Sequence, residues 1–238
     1  MTTVWEEIAN TLTAEIESGH YQADDRLPTE ALLSQRFGVN RHTVRRAIAK
    51  LREDGLVYSR RGAGVFVLPR PVEYPLGRRV RFKHNVLAAG QTPSRKLLHL
   101  ESRRCNEAER RALQLPKSAM VHVAEGLSLA DNQPIAIFRS AFPAQRLPDL
   151  PGHLRRSLSI TEALRASGIT DYVRLSTRLT AKLATPVQAN HLHLVAGDPI
   201  LRAVSINADT NRQPVEFGQT WFAGDRVSLN IDDESTDD

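Results

Sequence analysis

Two short helical patterns meet at Phe37-Gly38-Val39-Asn40, and that junction restricts what the first third of the chain can fold into. Before it, Thr29 precedes Glu30, Ala31, Leu32 and Leu33, which predicts an N-cap and a short helix that stops at Phe37-Gly38. After it, Asn40 is placed to cap a helix whose inward positions are Val44, Ala47, Ile48 and Leu51, closed by Asp54-Gly55. Upstream, Trp5, Ile8, Leu12 and Ile16 recur at helical spacing and Gly19 ends that segment. Downstream, LVYSR and GVFVL, joined by RGAG, have the composition of a hairpin. Three helices followed by a small hairpin predict a winged helix-turn-helix over residues 1–68, with Gly38-Val39 as the turn.

Charge follows this division. Residues 1–30 hold seven acids and one base, whereas residues 36–61 hold eight Lys or Arg against Glu53 and Asp54. The formal charge of the whole chain is only +5, so the segregation says more than the total: it marks a face, because a merely solvated surface mixes its signs. With Val44, Ile48 and Leu51 turned inward, Arg41 and Arg45 emerge on one flank of the helix, and His42 and Arg46 farther round. A guanidinium in the major groove can bridge O6 and N7 of guanine, at about 1–3 kcal/mol of discrimination. Thr29 and Arg36 can hold phosphates and set the register. Arg60-Arg61-Gly62-Ala63-Gly64 forms a basic wing tip whose glycines permit close backbone approach. The expected partner is double-stranded DNA.

Residues 69–77, PRPVEYPLG, hold three prolines and a glycine, which predicts a semi-rigid extended linker. Beyond it, runs such as MVHVAEGLSLA, IAIFRSAF, PILRAVSINA and VEFGQTWFA have strand composition, with DNQP, GDP and TNRQP as turns. Helical pieces fall at about 82–89, 106–113, 157–167 and 186–194. The expectation is an α+β domain around an antiparallel sheet, with no internal repeat. The end of the chain, residues 234–238, reads as an acidic tail. The first ten residues have neither a basic n-region nor an apolar h-region, no stretch is long enough to span a membrane, and Cys105 is the lone cysteine. A cytoplasmic protein without disulfide is expected.

WEEIANTLTAEIESGHY, LPTEALLSQRFGVNRHTVRRAIAKLREDGLV and RGAGVFV together resemble the N-terminal DNA-binding domain of the GntR family of bacterial transcription regulators. The resemblance implies DNA contacts at Thr29, Asn40, Arg41, His42, Arg45, Arg61 and Gly62. It also implies a homodimer on a two-fold symmetric operator and, usually, repression. Ala31 stands where family members often carry a basic residue, so one family contact is missing.

YPLGRRVRFKHNVLAAGQTPSRKLL, DNQPIAIFRSAFP and NRQPVEFGQTWFAGDR are similar to the UTRA effector domain of the HutC subfamily, whose fold resembles chorismate lyase. Residues 78–233 are thereby expected to bind an effector and to dimerise. Within the subfamily, the similarity points to the branch that represses phosphonate-utilisation genes. Regulators of sugar, amino-sugar or histidine catabolism are the alternative.

Several residues suit an anionic or zwitterionic effector. Arg81 and Lys83 lie at the start of the helix predicted at 82–89. Arg174 and Arg178 are an even number apart, hence on one face of a regular strand, and the resemblance favours Arg178. It also places a pocket glutamate at Glu216 and an aromatic at Phe222. Phosphosugar-sensing relatives commonly carry R-x-R before the D-x-x-P turn. Here those positions are Gly126 and Ser128, with Glu125 beside them, which favours a zwitterion such as an aminophosphonate over a phosphosugar. No metal site or cofactor is expected: His191 and His193 lack a Cys or carboxylate cluster. No G-x-S-x-G, GxGxxG or P-loop occurs, and no acid–base pair typical of an enzyme is readable.

Overall fold

Caps and glycine set the limits of the first helices. The computed structural model describes residues 2–23, 25–60, 63–68, 71–77 and 82–230, and it divides into two units, Met1–Arg70 and Pro71–Asp238. In the first, α1 (Val4–Glu17) opens on a capping box between Thr3 and Glu6. Helix α2 (Glu30–Phe37) is capped by Thr29, whose side chain accepts from Leu32 N. Gly38, at φ 64°, ends it in the left-handed region, where only glycine sits without strain. Asn40 returns to extended backbone and accepts from Thr43 N at 2.9 Å, opening α3 (Arg41–Glu53). These two caps and one glycine make the turn. Strands β1 (Val57–Arg60) and β2 (Gly64–Val67) pair antiparallel, from Val57↔Val67 to Arg60↔Gly64. The core joins Ile8, Leu12 and Ile16 of α1 to Leu33, to Val44, Ile48 and Leu51 of α3, and to Val57 and Val67. This is a winged helix-turn-helix.

The second unit is built on a six-stranded sheet in the order β4-β5-β6-β9-β8-β7. Its strands are β4 (Pro93–Arg104), β5 (Met120–Ala130), β6 (Gln133–Pro143), β7 (Tyr172–Leu183), β8 (Pro199–Asp209) and β9 (Pro214–Ala223). All five pairings are antiparallel. Its helices are α4 (Phe82–Ala88), α5 (Glu107–Ala112), α6 (Leu150–Ser157), α7 (Ile160–Ala166) and α8 (Pro186–Leu192). Alternation along the strands separates two faces. One packs with α6 and α7 through Phe138, Phe142, Leu154 and Leu164, and with Val86 of α4 through Ala136 and Phe222. The other carries α5 through Leu113, Val121 and Phe217, and α8 through Leu192 and Ile200.

Two expectations need correction. Residues 72–75, inside the predicted linker, form strand β3 (Val72–Pro75), paired parallel to β10 (Val227–Asn230). Val72 and Tyr74 alternate into the core; Pro71 stands just before the paired stretch and Pro75 at its end, where a missing N–H costs nothing. The second correction is that the unit does contain a repeat. Strand β7 starts 79 residues after β4 (172 against 93), and β8 starts 79 after β5 (199 against 120). The capping boxes Asn106/Glu109 of α5 and Thr185/Gln188 of α8 keep the same offset. The repeating unit is strand, helix and hairpin, and its two copies meet where β6 pairs with β9. Few side chains are shared between the copies, so the sequence hides it. Helix α6 is also absent from the sequence expectation; Pro151 stands in its first turn, where proline is tolerated. Among the described residues no helix is long and apolar enough to cross a membrane.

Candidate functional site

On the first unit, α3 presents Arg41, His42, Arg45 and Arg46 to solvent, opposite a seam of Val44, Ala47, Ile48 and Leu51 that is 0–3% exposed. Their surroundings differ. The Nε and an Nη of Arg45 donate to Glu30 Oε1 and Oε2 at 3.2 and 2.9 Å, and Arg45 thereby holds the Glu30 carboxyl below the usual carboxylate range. Arg46 stacks on Trp5 with its guanidinium carbon 4.6 Å from the ring centre, bracing α3 against α1. Arg36 is bound bidentate to Glu15 and lies 4.9 Å over the Phe37 ring, so it ties α2 to α1. Thr29 and Asn40 are the two caps already described. Arg60, at the hairpin end, stacks on Phe66 at 5.1 Å. Arg61 and Gly62 lie outside the described residues.

On the second unit, a cavity of about 690 Å3 opens on the sheet face shared by α4, α6 and α7. Among the described residues, five basic side chains line it (Lys83, His84, Arg95, Arg165 and Arg174) against two acids, Glu162 and Glu216. Lys83 sits 3.7 Å from Glu162, which offsets one cation. Across the floor runs a polar row from β7 to β6. Arg174 Nε donates to Asn207 Oδ1 at 3.2 Å, Asn207 Nδ2 donates to Glu216 Oε2 at 2.7 Å, and Ser140 Oγ donates to Glu216 Oε1 at 2.6 Å. Glu216 is 6% exposed, and two neutral donors hold its charge in place.

The cavity contains some of the predicted effector residues and not others. Lys83 and Glu216 line it. Arg81 lies outside the described residues. Arg178 does not line it: a register shift between Arg174 and Ser176 inserts one residue, so Arg174 pairs with Asn207 but Arg178 pairs with Val204, on the opposite face. The even spacing fails because the strand is bulged. Glu125 also faces away, ion-paired with Arg139 at 3.2 Å between the cavity residues Phe138 and Ser140. Phe222 is on the cavity face but beneath the lining, packed on Tyr74 with ring centres 5.3 Å apart. Gly126 has a steric reason to be glycine: a Cβ there would lie 2.4 Å from Lys96 O and 2.7 Å from the Phe138 ring. Sequence reasoning missed Arg95, which the 79-residue repeat identifies as the counterpart of Arg174.

Comparison with known proteins agrees with both units. Residues 5–67 match the bacterial regulatory proteins of the gntR family, and residues 88–228 match the UTRA domain. The chain is 35% identical to the uncharacterized HTH-type transcriptional regulator RB1450 of Rhizobium meliloti, over 96% of this chain and 94% of that one. It is 29% identical to the probable transcriptional regulator PhnF of Escherichia coli, over 97% and 95%. The crystal structure of PhnF from Mycobacterium smegmatis superposes with a TM-score of 0.68 at 23% identity, covering 98% of this chain and all of that one.

Proposed function

This chain belongs to the GntR family of bacterial transcription regulators, in the branch that carries a UTRA domain, and from that premise we propose that it is an effector-responsive repressor of phosphonate uptake or degradation genes. It binds a palindromic operator as a homodimer, since one small module covers too few base pairs for specificity in a genome. Arg41, His42 and Arg45 read base edges in the major groove. Thr29, Arg36, Asn40 and the wing residues Arg61 and Gly62 hold the backbone and fix the register.

The observation that carries the effector reading is the cavity floor, where Arg174 and the buried Glu216 carboxylate are joined through Asn207. A cation beside an anion in one polar row suits a small zwitterion, with an anionic head on the arginine side and an ammonium toward Glu216. The likeness to a PhnF over nearly the whole chain supports a phosphonate. Effector binding then favours a dimer arrangement that no longer fits successive major grooves, and the operator is released. Mobility-shift titration of the protein on DNA from upstream of its own gene tests this. 2-Aminoethylphosphonate at millimolar concentration is expected to release the complex. If it stays intact, while another metabolite releases it, the phosphonate assignment is wrong.

A further inference from the structure

We infer that Arg95 is the principal anion anchor of the cavity, and that with Arg174 it clamps the phosphonate or phosphate group of a small organic ligand. This rests on the cavity being the effector site.

Arg95 lines the cavity from edge strand β4. Its guanidinium lies between two aromatic faces, 4.9 Å from the centre of Phe82 and 4.8 Å from that of Phe138. Such stacking fixes the plane of the fork and leaves its N–H edge for an acceptor. Its Nε is buried and has no hydrogen-bond partner, and no ion pair involves Arg95 among the described residues. A shielded, unpartnered guanidinium nitrogen is costly, and native proteins rarely keep one without an acceptor to receive it. Burial pushes the Arg95 guanidinium below its ordinary range, while the Glu216, Tyr74 and Tyr172 side chains pull the other way; an oxyanion would act in the same sense, much more strongly.

The repeat supplies a second, independent argument. Arg95 pairs across the sheet with Ser128, and Arg174 pairs with Asn207; each member of the second pair is 79 residues after its counterpart. The two arginines therefore enter one cavity from opposite edge strands. Their local partners differ: Arg174 is satisfied by Asn207 at 3.2 Å, whereas the Nε of Arg95 is not satisfied. Gly126 leaves room for the Phe138 ring, over which the Arg95 guanidinium lies. The ligand class is a compact tetrahedral oxyanion with a polar or cationic tail that reaches Glu216.

Isothermal titration of the full-length protein with 2-aminoethylphosphonate, methylphosphonate, glucosamine 6-phosphate and inorganic phosphate tests the clamp. At least one of these is expected to bind, and Arg95→Gln should weaken it about a hundredfold, with Arg95→Lys between the two because it keeps the charge but not the fork. Arg139→Gln, on the other face, should leave binding within about twofold. If Arg95→Gln fails to fold by circular dichroism, Arg95→Lys alone decides: unchanged affinity overturns the anchor. Equal binding by wild type and Arg95→Gln, or no binding of any probe to the wild type, overturns it as well. Arg95-dependent binding that does not release the operator would instead keep the anchor and overturn the regulatory reading. Which probes bind distinguishes a phosphonate from a phosphosugar or free phosphate.

Discussion

Arg45 and Glu30 hold each other in the structure, so if Arg45 reads a base, as proposed, operator binding exchanges a carboxylate for a base edge. The geometry aims the Arg45 fork before the groove arrives, at the cost of one negative charge near the phosphates. Arg45→Ala is expected to relax base preference at one operator position with little change in the salt slope, read by competition with single-substituted operators. Glu30→Gln should do the reverse: stronger binding to all duplexes, a salt slope steeper by about one, and poorer discrimination. Arg36→Ala should weaken every sequence alike; Glu15 would be left without its partner, a loss of about 0.2–1 kcal/mol for an exposed pair. In the second unit Glu109 is 1% exposed. Burial pushes its carboxyl up, but Arg103, at 2.7 and 2.8 Å, and the Asn106 N–H outweigh burial, and the net direction is down from the ordinary glutamate range. Because the folded value lies below the unfolded one, this stability is complete above the ordinary glutamate range and is lost as pH falls through the folded value. Arg103→Ala leaves a buried charge and should cost about 3 kcal/mol at pH 7 in urea denaturation, a deficit that shrinks in acid.

Elements show how far the sequence could be read. Helix ends were legible because capping is local: Thr29, Gly38 and Asn40 occupy the positions their chemistry dictates. Asn40→Ala is expected to cost about 1 kcal/mol, and Gly38→Ala about 1–2 kcal/mol through the left-handed backbone, both measured by urea titration. Most sheet strands were legible from composition. The face each residue takes was not, because a single bulge beside Leu175 turns Arg178 away from the cavity while Arg174 stays in it. Bulges depend on pairing with a neighbouring strand, which one strand's sequence does not contain. The pairing of β3 with β10 was hidden likewise, since its partners are more than 150 residues apart (Val72 and Val227). Arg95 was hidden for a different reason. It lies in the polar run TPSRK, where an arginine reads as surface, and only the repeat and its two aromatic neighbours single it out.

On the scale of the whole molecule, the question is how a ligand in residues 71–230 alters operator binding by residues 2–68. The cavity is lined by both copies of the repeat and by α4, whose Phe82 stacks on Arg95. A ligand held by Arg95 and Arg174 therefore couples the two edge strands to each other and to the helix that follows β3, the first element of the second unit. That gives the ligand a reason to prefer one arrangement of the proposed dimer, which is all that allostery requires. Linkage then fixes a quantity. The factor by which saturating effector weakens operator binding must equal the product of the factors by which operator weakens the two effector-binding steps of the proposed dimer, and tenfold corresponds to about 1.4 kcal/mol. Titrating effector with and without a saturating operator duplex, and operator with and without saturating effector, should return the same ratio once the effector ratio is taken as the product over both sites. Phe82→Ala is expected to lower both ratios equally, because α4 would then register the ligand less. If the two wild-type ratios differ, operator release does not come from binding in this cavity alone. If they agree but Phe82→Ala leaves them unchanged, the signal leaves the cavity by an element other than α4.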